Sequence, residues 1–172
     1  VKQANDELTH GEIYTCLAEP LEDCEVLWDG VLALGELPVR TFACQLSECT
    51  PVGGDVWRVG LRAPAGKPPR YHAGQYLMIH KDSGEKSAFS LASAPHSGRD
   101  LEMHVLVRED SAQALIEQLQ RNQMAQVELP FGDTHLAELP DAPLVLIAAG
   151  TGMAQMHSLI EHCRAKGFAH PV

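Results

Sequence analysis

From residue 40 to about 130 the apolar positions recur at every second residue. Trp57, Val59 and Leu61 alternate with Arg58, Gly60 and Arg62, and Leu101, Met103, Val105 and Val107 alternate with Glu102, His104 and Leu106. This is the period of a strand with one face buried. Gly53-Gly54, Pro68-Pro69, Ser83-Gly84 and Ser97-Gly98 supply turns between the runs. Several short antiparallel strands closed on themselves are the economical arrangement, so the pattern predicts a mainly β barrel. One helix interrupts it: Ser111 is the expected N-cap of a helix through Ala114, Leu115, Ile116 and Leu119, with Glu117 and Arg121 spaced as an i,i+4 ion pair.

The texture changes after Pro140. The run Pro143-Leu-Val-Leu-Ile-Ala-Ala149 is continuously apolar, as a strand buried on both faces of a parallel sheet is. Gly150-Thr151-Gly152 follows at once, and Met153, Met156, Leu159, Ile160 and Cys163 mark the inner face of a helix that Gly167 ends. Strand, glycine turn and helix open a βαβ unit, and Pro171-Val172 can begin its second strand. One strand and one helix cannot make a doubly wound sheet, so this organisation calls for a partner or a longer polypeptide.

Length and composition leave this picture intact. The 172 residues, 45% hydrophobic and 21% charged, suffice for one domain or two small ones and argue against a disordered or fibrous chain. No apolar run approaches the roughly 20 residues of a membrane-spanning helix, and Val1 to His10 lacks a basic segment leading into an apolar one, so the expectation is a soluble cytoplasmic protein without membrane contact. Charge does change the picture. Residues 1 to 39 hold nine acids against Lys2 alone, which is −8 of the net −10. Gly35-Glu36-Leu37-Pro38 reads as a linker. Three parts are expected: an acidic 1–39, a barrel over 40–140, and an incomplete α/β unit over 141–172. An acidic chain without a basic stripe repels phosphate backbones, which excludes nucleic acid as a partner. The acidic part is either a solvated face or a surface that docks a partner.

Five cysteines without a regular framework fit a reducing compartment. Cys44 and Cys49 have the C-x4-C spacing that opens a plant-type iron–sulfur run, but the third ligand falls on Val52. Phe42, Cys44 and Leu46 alternate with more polar residues, which makes Cys44 a small core residue of a strand. His157 and His162, five apart, diverge around a helix and do not make a zinc site.

Two stretches carry candidate chemistry. A glycine turn such as Gly150-Thr151-Gly152 lets a phosphate approach the open N–H groups and positive dipole end of the following helix, although small residues also sit in such turns merely to pack helix on strand. Phe89-Ser90-Leu91-Ala92-Ser93 ends a strand with an aromatic ring, a hydroxyl and small neighbours, which can place a ring and a donor beside a flat heterocycle.

The order of segments resembles the ferredoxin–NADP reductase-like flavoproteins, especially oxygenase reductase components and flavin reductases. Tyr71-His72-Ala73-Gly74-Gln75-Tyr76 is similar to the family's Gly-Gln-Tyr strand, and Ser87-Ala88-Phe89-Ser90-Leu91-Ala92-Ser93 to its flavin motif, Arg-x-Tyr/Phe-Ser-x-x-Ser. Pro130-Phe131-Gly132 resembles the Pro-x-Gly that closes its barrel, and Ala149-Gly150-Thr151-Gly152-Met153-Ala154-Gln155 its nicotinamide motif, Gly-Gly-Thr-Gly-x-Ala-Pro. The family's arginine falls on Ser87, its first glycine on Ala149 and its proline on Gln155. Upstream, the stretch from Tyr14 to Val26, with Cys16 ahead of Pro20-Leu21-Glu22-Asp23, resembles the end of a plant-type ferredoxin domain, where such a cysteine is the fourth ligand of a [2Fe–2S] cluster.

The resemblance implies a flavin barrel, and a nicotinamide domain of which residues 141–172 are the first strand and helix. NADH or NADPH then delivers a hydride to FAD, or to FMN, and single electrons pass to a [2Fe–2S] cluster, held only in the intact parent, and on to a protein acceptor such as an oxygenase component. Phe89 and Leu91 lie by the flavin and Ser90 hydrogen-bonds near its N5 as the catalytic residue. His104, Val105 and Leu106 line the ring with their backbone. The helix near Ser111 faces the flavin pyrophosphate, and Gly150, Thr151 and Gly152 receive that of the nicotinamide cofactor. Cys16 is the metal ligand. Two other readings stay open: a reductase that treats flavin as a loosely held substrate, and a non-enzymatic module with decayed sites.

Overall fold

The computed structural model describes residues 21–23, 32 and 36–172. The chain divides into Val1–Ala33 and a compact unit Leu34–Val172, and every strand and helix named below belongs to the second unit. The expected ligand Cys16 lies outside the described residues.

Six strands form one antiparallel sheet: β1 (Arg40–Gly53), β2 (Val56–Arg62), β3 (Tyr76–His80), β4 (Lys86–Ser90), β5 (Asp100–Leu106) and β6 (Met124–Phe131). Their order across the sheet is β4-β3-β6-β1-β2-β5. The two edge strands then meet. Leu91, just past β4, bridges Met103 of β5, Ala92 N–H donates to Glu102 O at 2.7 Å, and Leu91 N–H donates to Gln75 O at 3.1 Å. The sheet is thereby closed into the expected barrel by a join much shorter than its other pairings.

The alternation read from the sequence sets the faces. Val59, Leu61, Leu101, Met103 and Val105 are buried inside together with Leu77, Ile79, Val127 and Leu129. Cys44 is fully buried there as a core residue, and burial pushes its thiol up to about 11. Helix α1 (Asp110–Asn122) packs against β1 and β6 and inserts Leu115, Ile116 and Leu119 into the same core. Three of the four expected turns are present: Gly53, Gly54 and Asp55 all have positive φ in the β1–β2 hairpin, Gly84 does so between β3 and β4, and Gly98 does so before β5, whereas the turn between β2 and β3 falls at Ala65-Gly66 rather than at Pro68-Pro69.

Further local expectations are corrected. The cap of α1 is Glu109, in extended conformation and with no side-chain bond, while Ser111 is the second helical residue. The first turn is closed by the Ala112 and Gln113 N–H groups on Glu109 O, and Glu109 and Asp110 place negative charge at the positive end of the helix. The Glu117–Arg121 pair does not form. Arg121 Nη2 reaches Asp82 Oδ2 at 2.5 Å, and Glu117 accepts from Gln113 Nε2 at 3.0 Å, because the β3–β4 turn packs beside this helix face and offers a carboxylate. Finally, residues 143–149 are not a strand. A strand exists only through its neighbours, and the backbone bonds of this run among the described residues are Leu144 N–H to Pro171 O and, at its end, Gly152 N–H to Ala149 O, neither of them a ladder. Val145 and Ile147 are consequently 84% and 85% exposed. The helix after it, α2 (Met153–Ala165), forms, with Gly167 at φ +66° turning the chain beyond it, but its buried face is Ala154, Ser158, Leu159 and Cys163, and Met153, expected inside, is exposed.

Candidate flavin site at the barrel join

The barrel join collects most of the residues singled out by sequence. In the β3–β4 pairing Tyr76 stands opposite Ser90, Leu77 opposite Phe89 and Ile79 opposite Ser87. Phe89 therefore shares a side with fully buried Leu77 and packs half-buried on the core, and Leu91 is fully buried. Ser90 lies on the other side, half-buried, and its hydroxyl has no hydrogen-bond partner among the described residues. Beside it the Tyr76 ring stacks on Phe131, with centroids 5.6 Å apart. Gly132 sits under that ring at φ +97°, and an added Cβ would lie 3.0 Å from two of its atoms, so glycine is required there.

On β5, Val105 points into the core, whereas His104 and Leu106 are on the outer face. Glu102 shares that outer face. His104 Nε2 donates to Glu102 Oε1 at 3.2 Å, and this bond, with the charges of Arg58 and His157, holds the Glu102 carboxyl below the usual range. The turn Gly150–Gly152 lies against β5 as a single 3-10 turn leading into α2. Gly150 has φ +55°, and a Cβ on Gly150 or Gly152 would meet nothing within 4 Å. Open space thus adjoins backbone N–H groups at the start of α2.

Helix α2 is fastened to the barrel by side chains for which the helical period offers no signal. Gln155 Nε2 donates to Gly74 O at 2.8 Å and to Thr134 O at 3.1 Å. His157 Nδ1 donates to Ala92 O at 2.9 Å, and Ser158 Oγ, fully buried, donates to Ser93 O at 2.7 Å. Ser93 Oγ accepts from Glu102 N–H, and the Tyr71 hydroxyl reaches Ser93 O, Ser93 Oγ and Ala94 O within 3.2 Å. Burial pushes the Tyr71 phenol up to about 12, so it remains a donor. Gln75 completes the support, accepting from His72 N–H at 2.7 Å and donating to Gly132 O at 3.1 Å. The one sequence signal for this clamp is Gln155 standing where the family has proline.

Ser87 is half-buried on the Ile79 side of β4. Lys86 lies on the opposite face, with Nζ 2.8 and 3.0 Å from the two Glu128 oxygens. Ser111 borders an open groove between α1 and the β3–β4 turn, where Lys81 is paired to Glu85 at 3.1 Å. His157 and His162 do not converge: burial, then the Lys166 charge, holds the His162 imidazole down, and no metal-binding group of His, Cys, Asp or Glu exists among the described residues.

The surroundings of Ser90 fit a flat heteroaromatic ring: a free half-buried hydroxyl, outward β5 backbone, and a glycine turn with nothing above it. They fit a charged phosphate poorly, because each cation near Ser87 and Ser111 is engaged by a carboxylate and α1 begins with two acids.

No family model matches the chain. It is 34% identical over 123 residues to the reductase component 1 of terephthalate 1,2-dioxygenase from a Comamonas species, covering 71% of this chain and 37% of that protein. It is 33% identical over 141 residues to the NAD(P)H-flavin reductase of Vibrio harveyi, covering 77% and 58%. Among solved structures, a cytochrome P450 reductase of Amycolatopsis superposes with a TM-score of 0.61 at 26% identity, over 75% of this chain and 40% of that one. The chain thus spans between about a third and three fifths of the length of these relatives. The chain is homologous to dioxygenase reductase components and NAD(P)H-flavin reductases, and its closed six-stranded barrel has the fold of the ferredoxin reductase-like flavoproteins.

Proposed function

We propose that this chain is the flavin-binding part of an NAD(P)H-dependent reductase that feeds electrons, through flavin, to a protein acceptor such as an oxygenase component. The observation that carries this reading is the free Ser90 hydroxyl at the barrel join, where the chain meets β5, the strand against which the open glycine turn lies. A bound flavin would supply the conversion of a two-electron hydride donor into one-electron steps. Ser90 hydrogen-bonds the ring near N5, the position that takes the hydride. Leu91 and the backbone of His104, Val105 and Leu106 flank the ring, and Phe89 firms the strand beneath it. The first turn of α1, with Ser111, lies toward the flavin phosphates but offers them no free cation, so they are held weakly, and Gly150, Thr151 and Gly152 take the pyrophosphate of NADH or NADPH. The acceptor is a [2Fe–2S] cluster in the intact parent, with Cys16 as one ligand; one thiolate cannot hold such a cluster. The proposed setting is the cytoplasm, which suits the free thiols of Cys44, Cys49 and Cys163.

A second reading is favoured by Ser87 and by the Lys86–Glu128 bond: flavin is taken up as a substrate rather than held as a cofactor. Titrating FAD and FMN into the purified chain, read by flavin fluorescence, tests both. Saturable binding weakened by Ser90→Ala is expected. Retention of flavin through desalting selects the cofactor reading, and its loss the substrate reading. Absence of saturable binding rejects both in favour of a non-enzymatic module.

A further inference from the structure

Cations are scarce in this chain, and most of those it has are spoken for. Seven of the described Lys and Arg side chains are ion-paired to carboxylates, and Arg99 Nη1 donates to Ala63 O. Four have no partner among the described residues: Arg40, Lys67, Arg70 and Lys166. Lys166 caps α2. The other three line one groove of about 510 Å³, between the start of β1 and the loop from β2 to β3. Phe42, Pro64 and Pro68 also line it, and no Asp or Glu does.

We infer that this groove docks an acidic protein surface. Elsewhere on residues 40–172 seven cations are neutralised by paired carboxylates, so an acidic partner finds unpaired positive charge concentrated here, and three such cations fix its orientation as well as its approach. The apolar floor fits a partner that sets an apolar side chain among its carboxylates. A small free anion finds no buried donor: Arg40, Lys67 and Arg70 are all exposed, and single exposed contacts of this kind are weak. A nucleic acid carries its charge far beyond the groove, onto acidic surface. The location is consistent with a partner held while electrons move elsewhere. β1 lies three strands from β4 in either direction around the barrel, so an occupant of the groove leaves the Ser90 join uncovered. This inference is independent of what binds at that join.

A fluorescein-labelled glutamate-rich peptide with a single central leucine, titrated into the full chain and followed by anisotropy, tests it. Saturable binding that weakens as salt rises is expected, with a loss of about tenfold or more in Arg40→Gln/Lys67→Gln/Arg70→Gln. All three positions are exposed, and circular dichroism checks that the variant is folded. Arg108→Gln/Arg164→Gln/Lys166→Gln removes the same charge elsewhere and should bind like the parent chain. Three outcomes overturn the inference: no saturable binding, equal loss in the two triple variants, or displacement of the peptide by inorganic tripolyphosphate at comparable concentration, which would mark a small-anion site.

Discussion

At the scale of single residues, the decisive feature of the site is a missing charge. Ser87 stands where the family's arginine would form a charged fork, and Lys86 cannot substitute because its Nζ lies between the two Glu128 oxygens. A charge-assisted contact exceeds a neutral one by about 1–2 kcal/mol, so Ser87→Arg should tighten FMN and FAD by roughly five- to thirtyfold and leave riboflavin unchanged. Fluorescence titration of the three flavins reads this, and equal gains for riboflavin would mean the arginine works through the fold instead. Glu128 supports a second expectation. Hydrogen bonds from Lys86 and then His80 hold its carboxyl below the usual range. A carboxyl lowered on folding stabilises the protein above its unfolded value and loses that contribution as pH falls through the folded one. Urea unfolding of Glu128→Gln should therefore show a shallower decline in stability below about pH 4.5 than the parent chain does. An identical decline would assign acid sensitivity to other carboxylates, with Glu102 the first to examine.

Elements show how far a sequence specifies its own structure. The period-2 runs of β2 and β5 and the apolar face of α1 are legible because each pattern reports burial that the element itself achieves. The apolar run 143–149 has the composition of a strand and is not one, since strand pairing is a property of two segments. Hydroxyl preference points to Ser111 as the N-cap, whereas the helix starts at the acids 109 and 110, which stabilise the same end electrostatically. Of the site, the glycine turn and the Phe89-Ser90 motif are visible as composition, while the α2 clamp is not, for its bonds join residues 21 to 81 positions apart. Its strongest member should be Ser158, whose buried hydroxyl serves Ser93 O. Ser158→Ala leaves that carbonyl with the Tyr71 hydroxyl as its remaining donor and should cost about 1 kcal/mol, measured by chemical denaturation. A change within error would show that water satisfies Ser93 O equally well.

For the molecule as a whole, the exposed run is the most consequential surface. Val145 and Ile147 stand almost fully in solvent within a segment whose backbone is scarcely paired, which is the profile of an edge that associates. The chain should self-associate with rising concentration, and Val145→Lys/Ile147→Lys should abolish this with flavin affinity intact; analytical ultracentrifugation of both forms decides, and unchanged association in the variant would place the contact elsewhere.

The clamp of α2 bears on where this polypeptide can be cut. Composition puts a boundary near Pro140, yet four carbonyls of the barrel, on Gly74, Thr134, Ala92 and Ser93, are satisfied by donors that follow Met153. A flavin cassette grafted into another enzyme with its border at 140 would carry the Gly74, Thr134 and Ala92 oxygens without these donors and Ser93 O with the Tyr71 hydroxyl alone, on the loops beside β3 and β4. The transplantable piece runs through Ala165, so the unit of inheritance is the barrel together with the helix that anatomy assigns to its neighbour.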